Sequence, residues 1–189
     1  MKGRGQRAEG LAQATNRKGA HIAAAVLAVV LAAGAVRAET IDRVVAVAGG
    51  QLIMLSDVTA ALDLGLVSDE GAADRVGAAL AKLIDRALVL VEVNRYAPPE
   101  PADDAIEREM AIVRARFASR QAFDAVLERS GITEAHLREI VRDNLRIRAY
   151  SDQRFAGAEN ADRRSTLIDE WVAGLRQRAD IVDLYAVGR

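Results

Sequence analysis

The first informative hydrophobic pattern in the chain is a pair of short apolar runs that predicts a β-hairpin. Residues Thr40 to Val58 read TIDRVVAVAGGQLIMLSDV, and Gly49-Gly50 separates the two runs. A Gly-Gly pair tolerates the positive φ angles of a two-residue turn, and β-branched residues favour strands. The sequence therefore predicts a hairpin over residues 41–55. Because both of its faces are largely apolar, we expect it to be buried.

A two-residue turn also fixes the expected register of this hairpin. The expected cross-strand pairs are Val47 with Leu52 and Val45 with Met54 on one face, and Ala46 with Ile53 and Val44 with Leu55 on the other. Ser56-Asp57 follows the second run and is expected to cap the next helix.

After the hairpin, apolar residues recur at steps of three and four, the spacing of helices with one buried face. The strongest pattern, over residues 72–96, predicts a central core helix, and Ser68-Asp69-Glu70 is expected to cap it. The three prolines lie within residues 98–101 and must interrupt helical structure. Gly131 is expected to end one helix and Thr133 to begin the next. Helices are predicted at about residues 57–66, 72–96, 102–118, 120–130, 133–155 and 164–179.

The chain closes on an apolar run, Ile181 to Tyr185, that predicts a strand. A strand cannot stand alone, and the nearest available partner is the N-terminal hairpin. We therefore expect a mainly α fold, a helical domain over residues 39–189 that is closed by a small three-stranded sheet.

The first 38 residues have the pattern of a cleaved secretory signal peptide. A basic segment is followed by fifteen apolar residues, 22–36, and by small side chains at Val36 and Ala38. Fifteen residues are fewer than the roughly 20 that span a bilayer, so cleavage after Ala38 is expected in preference to an uncleaved anchor. The sequence predicts export by the general secretory route to the periplasm.

Charge and cysteine content narrow the function classes. Removal of residues 1–38 leaves 20 basic and 26 acidic residues, a net charge of −6, which is unfavourable for nucleic-acid binding. The chain has no cysteine, so disulfides and a lipid-modified N-terminal cysteine are excluded.

Residues 41–58, IDRVVAVAGGQLIMLSDV, resemble the opening of the mature SurA-type periplasmic chaperones, a family that includes peptidyl-prolyl isomerases. In that family, a strand, a tight turn, a second strand and a Ser-Asp cap lead into a helical domain. The family usually has Asn at the position of Gly49, and glycine preserves the turn chemistry. The likeness continues more loosely to Arg154, and again from Leu167 to Tyr185. It implies a SurA N-terminal-like domain that the C-terminal strand closes.

The isomerase activity of the family is not expected in this chain. SurA-like proteins carry parvulin domains of roughly a hundred residues between the penultimate and last elements of the chaperone domain. Here that place holds only residues 156–163, and the paired histidines of parvulin sites are missing.

Candidate catalytic, cofactor and metal residues are not found. After loss of the signal peptide, His136 is the one histidine that remains, and it is most simply an exposed residue in the first turn of a helix. The carboxylates of Asp103 and Asp104 suit a helix N-terminus better than acid-base chemistry. Gly49-Gly50 lacks the following Lys-Ser/Thr of a phosphate loop, and nothing in the sequence indicates ATP use.

Two surface features have alternative interpretations. The first is a basic stripe of Arg138, Arg142 and Arg146, either a solvated face on which Glu134 pairs with Arg138, or a site for acidic segments or anionic lipid headgroups. The second is an apolar set on residues 106–127, either core or an adaptable groove for polypeptide. Its candidate polypeptide-binding residues are Met110, Val113, Phe117, Phe123 and Leu127.

The sequence thus predicts an ATP-independent periplasmic chaperone or folding factor that binds unfolded exported polypeptides, including outer-membrane proteins, without isomerase activity. Its binding would depend on apolar burial and have little sequence specificity. The alternative is an envelope adaptor or structural subunit with one dedicated partner, and a homo-oligomer is compatible with both. An exported enzyme is the least favoured hypothesis, because candidate catalytic residues are not found.

Overall fold

The computed structural model describes residues 42–69 and 71–187. The predicted signal peptide and its cleavage point lie outside the described residues, as does Ile41. Within the described part, seven helices accompany a three-stranded antiparallel sheet, so the predicted mainly α class is confirmed. The strands are β1 (Val44–Ala48), β2 (Gln51–Met54) and β3 (Ile181–Asp183). The helices are α1 (Leu55–Asp63), α2 (Arg75–Tyr96), α3 (Asp103–Arg114), α4 (Arg120–Ser130), α5 (Glu134–Arg154), α6 (Ala161–Arg178) and α7 (Leu184–Val187).

The sheet closes the two ends of the domain, as predicted. Its strand order is β2-β1-β3, and β3 pairs antiparallel with β1. Gly49 and Gly50 have φ angles of 55° and 78°, which glycine adopts without the strain that most side chains would cause. The predicted last strand is too long, because Asp183 accepts hydrogen bonds of 2.9 Å from the backbone N–H groups of Tyr185 and Ala186 and so begins α7.

The hairpin register is correct near the turn and wrong beyond it. Val47 lies opposite Leu52 and Ala46 opposite Ile53, as predicted. The register then shifts between Val44 and Ala46, so Val44 faces Met54 and Val45 is the extra residue of a β-bulge. The predicted pairs Val45–Met54 and Val44–Leu55 are therefore wrong.

Burial of the hairpin is also one-sided. Val45, Ala46, Ala48 and Ile53 are buried, whereas Leu52 is 62% exposed. Full burial, which we expected from the two apolar faces, is therefore wrong for strand β2.

Two of the predicted helix caps differ from the structure. Helix α1 begins at Leu55, one residue before the predicted Ser-Asp cap, and Asp57 reaches back to accept a 3.0 Å hydrogen bond from the backbone N–H of Met54. Helix α2 begins at Arg75 and is capped by Asp74, not by residues 68–70. Asp69 instead binds the Arg75 guanidinium, and this hydrogen bond holds the pKa of Asp69 below its usual value.

The remaining boundaries follow local capping. Gly131, with φ 75°, ends α4, and the Thr133 hydroxyl accepts a 3.1 Å hydrogen bond from the backbone N–H of His136, as predicted. Helix α3 ends four residues earlier than predicted. The Arg116 guanidinium, just after the end of α3, donates hydrogen bonds of 2.8 and 2.7 Å to the backbone carbonyls of residues 64 and 65. Helix α6 begins three residues earlier than predicted, because Asn160 caps it.

The buried residues form two clusters on either side of α1. The sheet core lies among β1, β2, α1, α2, α5 and α6, and its largest fully buried side chains are Val45, Val58, Leu80 and Val93. The helical core lies among α1, α3, α4 and α5, and its largest are Leu64, Ile106, Met110, Phe123 and Leu137. Helix α5 contributes to both cores, with its first half in the helical core and Tyr150 in the sheet core. No helix in residues 42–69 or 71–187 is long and apolar enough to cross a membrane.

Candidate functional site

The predicted polypeptide-binding residues lie in the helical core. Met110, Val113, Phe123 and Leu127 are buried, and Phe117 is half-buried with its ring 5.6 Å from that of Phe123. Their surfaces are used for packing among α1, α3, α4 and α5, as the core interpretation expects. Contact between these residues and a polypeptide would require the helical core to open, so their binding role stays a prediction.

The structure instead contains an apolar groove between the two cores, which we call the groove. Strand β2 and helices α1, α2 and α5 line it, and its cavity volume is about 250 Å³. Its main apolar lining residues are Leu52, Ile53, Leu66, Leu83, Leu90 and Ile140. Most of these are half-buried because nothing in the described chain covers them from outside. A volume just below the roughly 300–1,000 Å³ of small-molecule pockets suits a few aliphatic side chains.

Arg86 of α2 provides the polar part of the groove floor. Its Nε donates a 2.8 Å hydrogen bond to Asn144 Oδ1, and its Nη2 lies 3.3 Å from the Ile140 carbonyl and 3.4 Å from Asp143 Oδ2. Burial lowers the pKa of Arg86, and the charge of Asp143 partly opposes that shift. The guanidinium remains charged, since arginine is not deprotonated in proteins. This network holds α2 against α5 under the groove.

The rim of the groove is acidic. Asp57, Glu139 and Asp143 line it together with Arg86 and His136. With histidine counted as neutral, these side chains sum to a net charge of −2. Glu139 pairs with Arg142, and Asp143 pairs with Arg146 as well as with Arg86. Arg142 and Arg146 do not line the groove. The ion-pair partner of Asp57 is His136, at 3.2 Å.

Strand β2 forms one wall of the groove and is an edge strand. It pairs with β1 on one side, and in the described chain no strand pairs with its other side. Leu52 is on this strand, exposed and beside the groove. An edge of this kind offers unpaired backbone donors and acceptors to another extended chain.

A smaller polar cleft lies next to the groove. Its volume is about 150 Å³, and Leu66 and Asn144 line both cavities. Arg116, Arg148 and Glu109 also line the cleft, and Arg148 is 3.0 Å from Glu109. The two cavities thus adjoin at Leu66 and Asn144.

The basic stripe on α5 is occupied by ion pairs. Arg138 pairs with Glu107, Arg142 with Glu139, and Arg146 with Glu100 and Asp143. The predicted partner of Arg138 is wrong, because Glu134 instead binds Arg114 and Arg120. This arrangement favours the structural interpretation of the stripe over a binding site for anions.

Sequence reasoning missed the groove because its residues come from four separate elements. Arg86 and Asn144 are the residues that could have indicated the groove, since each is a polar residue within a strongly apolar helical pattern. Among the described residues, no group of three or more His, Asp or Glu side chains has a metal-binding arrangement. Comparison of the chain with protein-family models and with curated proteins found no match.

Proposed function

We propose that this protein is an ATP-independent chaperone of exported polypeptides, and that the groove beside β2 is where it holds them. The proposal starts from the resemblance of residues 41–58 to SurA-type chaperones. It is supported by one observation above the others, namely an open apolar groove bordered by an exposed edge strand. Apolar burial with backbone pairing binds many sequences weakly, as a folding factor requires.

The proposed chaperone acts in the periplasm after cleavage behind Ala38, and has no isomerase activity. N-terminal sequencing of the protein from envelope extracts tests the first part. A mature N-terminus at Glu39 is expected, and an intact N-terminus on a membrane-bound protein would contradict it. The second part is tested by the rate of cis-trans exchange of a proline-containing peptide, measured with and without the protein. No acceleration is expected.

Light scattering tests the chaperone activity. A denatured outer-membrane protein is diluted into buffer with and without residues 39–189, and suppression of its aggregation is expected. Leu52→Asp, which puts a charge at the groove wall, should weaken suppression. Ile112→Asp is a matched control, because Ile112 is 53% exposed on α3 and does not line the groove. No suppression at several-fold molar excess, or equal loss in both variants, would contradict the proposal.

One observation favours the alternative of an adaptor with a dedicated partner. The groove volume of about 250 Å³ accommodates a short segment better than a large unfolded chain. Affinity purification from envelope extracts separates the two functions. A single stoichiometric partner lost in Leu52→Asp supports the adaptor, whereas many outer-membrane clients support the chaperone.

A further inference from the structure

The backbone of β2, a strand whose residues line the groove, presents a hydrogen-bonding pair at the free edge of the sheet. In a hairpin with a two-residue turn, the residues next to the turn form a hydrogen-bonded pair and the following pair does not. Ala48 and Gln51 are next to the turn, so Val47 and Leu52 form the non-hydrogen-bonded pair. The N–H and C=O groups of Leu52 therefore point away from β1. They face the side of β2 on which no described strand pairs.

A chain that paired with Leu52 would lie along the apolar lining. Successive side chains of a strand alternate between its two faces, so every second side chain of an added strand would face the groove. Leu66, Leu83 and Leu90 are available there as half-buried apolar partners. The main-chain pair supplies affinity without sequence preference, and the groove supplies a preference for aliphatic side chains.

The rim charge adds a second preference. The groove lining has a net charge of −2, as counted above. Asp57 is partly exposed, with 25% of its side chain accessible, and its ion-pair partner is His136, a neutral residue in the charge count. By contrast, Glu139 and Asp143 each pair with an arginine outside the lining. Asp57 also accepts the Met54 N–H, and its charge acts on Arg86, but among the described residues it is the rim carboxylate with no lysine or arginine ion pair. The new cation is therefore placed there.

We propose that β2 binds an extended aliphatic polypeptide segment as an added strand, with a lysine or arginine side chain of that segment set against Asp57. The inference rests on the proposed function and defines its substrate class. It excludes acidic segments, because a carboxylate would face Asp57, Glu139 and Asp143. The occupant is an unfolded client segment and not β2 of a second copy, because Gln51–Met54 contains no lysine or arginine to set against Asp57.

Fluorescence anisotropy with three labelled heptapeptides tests the inference. The first is Val-Thr-Val-Thr-Lys-Thr-Val, in which the lysine and the valines project from the same face of the strand. The second has Glu in place of Lys, and the third is the first peptide with alternate backbone nitrogens methylated. The lysine peptide is expected to bind about fivefold more tightly than the glutamate peptide, the size of a favourable part-exposed ion pair. Methylation removes backbone donors and should abolish binding.

Asp57→Asn and Asp63→Asn are the matched variants. Both residues lie on α1, but Asp63 pairs with Arg129 and does not line the groove. Asp57→Asn should bring the affinities of the lysine and glutamate peptides close together, whereas Asp63→Asn should leave their ratio unchanged. Because the readout is a ratio on one protein, a modest change in stability does not affect it. A ratio that survives Asp57→Asn would overturn the role of this carboxylate.

Failure of this inference is distinguishable from failure of the proposed function. Equal binding of all three peptides, with suppression of aggregation still lost in Leu52→Asp, would overturn strand addition and leave the chaperone proposal standing. No peptide binding together with no suppression would overturn both. A dimer in sedimentation equilibrium that Leu52→Asp dissociates would make the occupant a second copy, and would also overturn the inference.

Discussion

The Tyr185 hydroxyl donates a 3.0 Å hydrogen bond to Asp74 Oδ1, and so joins the C-terminal helix α7 to the start of the central helix α2. The same carboxylate oxygen accepts a 3.0 Å hydrogen bond from the backbone N–H of Gly77, which caps α2. One side chain thus links helix initiation to closure of the domain, across 111 positions of sequence.

Tyr185→Phe removes this link without changing the ring. We expect the free energy of unfolding to fall by about 1 kcal/mol, the usual net value of one hydrogen bond, or more because the bond is to a charged group. Tyr96→Phe is the control, since Tyr96 is 59% exposed and contacts Tyr150 through its ring. Urea unfolding measures both variants, and equal midpoints for the two would contradict the expectation.

Deletion of residues 180–189 is expected to unfold the domain. It removes β3 from the open side of β1, together with half-buried Ile181 and Tyr185, which pack against the sheet core. Val182→Ala is the comparison, because Val182 is 51% exposed and its loss leaves the strand in place. Circular dichroism on heating should show no cooperative transition for the deletion and a nearly normal one for Val182→Ala. Unchanged melting of the deletion would show that β3 does not hold the domain closed.

Glu134 makes stability depend on acid pH. Its Oε1 accepts a 3.0 Å hydrogen bond from Arg114 Nε, and its Oε2 a 2.6 Å hydrogen bond from Arg120. These hydrogen bonds lower the pKa of Glu134 below 4.5, and the bond from Arg114 has the larger effect. The unfolded chain therefore binds this proton more readily than the folded one. The stabilisation is complete above pH 4.5 and is lost as the pH falls through the folded pKa.

Glu134→Gln should remove that dependence. The variant is expected to be less stable than the wild type at pH 7, with a difference that shrinks below pH 4.5. Urea midpoints at pH 7, 4.5 and 3 measure it. Glu159→Gln, at an exposed position, is the control and should follow the wild type at each pH. A constant difference between Glu134→Gln and wild type at all three values would exclude the linkage.

Substitutions of Phe123 and Phe117 distinguish a packing role of the helical core from a role in client binding. Phe123→Ala should cost about 3–5 kcal/mol, because Phe123 is fully buried, and Phe117→Ala should cost less because Phe117 is half-buried. Urea unfolding gives the two costs. If the helical core opens to bind clients, Phe117→Ala should also weaken suppression of aggregation. Normal suppression by a folded Phe117→Ala would confine these residues to packing.

Local chemistry made several parts of the fold predictable. Gly49-Gly50, Gly131 and Thr133 each act through backbone angles or hydrogen bonds within a few residues, and each has the predicted role. The caps that failed were those with competing groups nearby. Asp69 and Asp74 are both suitable cap residues, and Arg75 draws Asp69 away by pairing with it.

The candidate site was less predictable, for a non-local reason. Met110 and Phe123 have the periodicity of a buried stripe, and periodicity does not reveal whether another helix or a client covers that stripe. Leu137 and Leu64, distant in sequence, cover it here. The groove, by contrast, is a place that packing leaves uncovered, because β2, α1, α2 and α5 leave a space between them.

By itself, the sequence determined the kind and order of the elements, the tight turn of the hairpin and the need for a strand partner at the C-terminus. These follow from side-chain spacing and from groups that satisfy nearby backbone atoms. Only the tertiary structure decided which apolar faces are covered, where Val45 bulges and which edge of the sheet stays open. Those outcomes depend on contacts between residues far apart in the chain, and burial of one face against another is a property of the pair and of neither face alone.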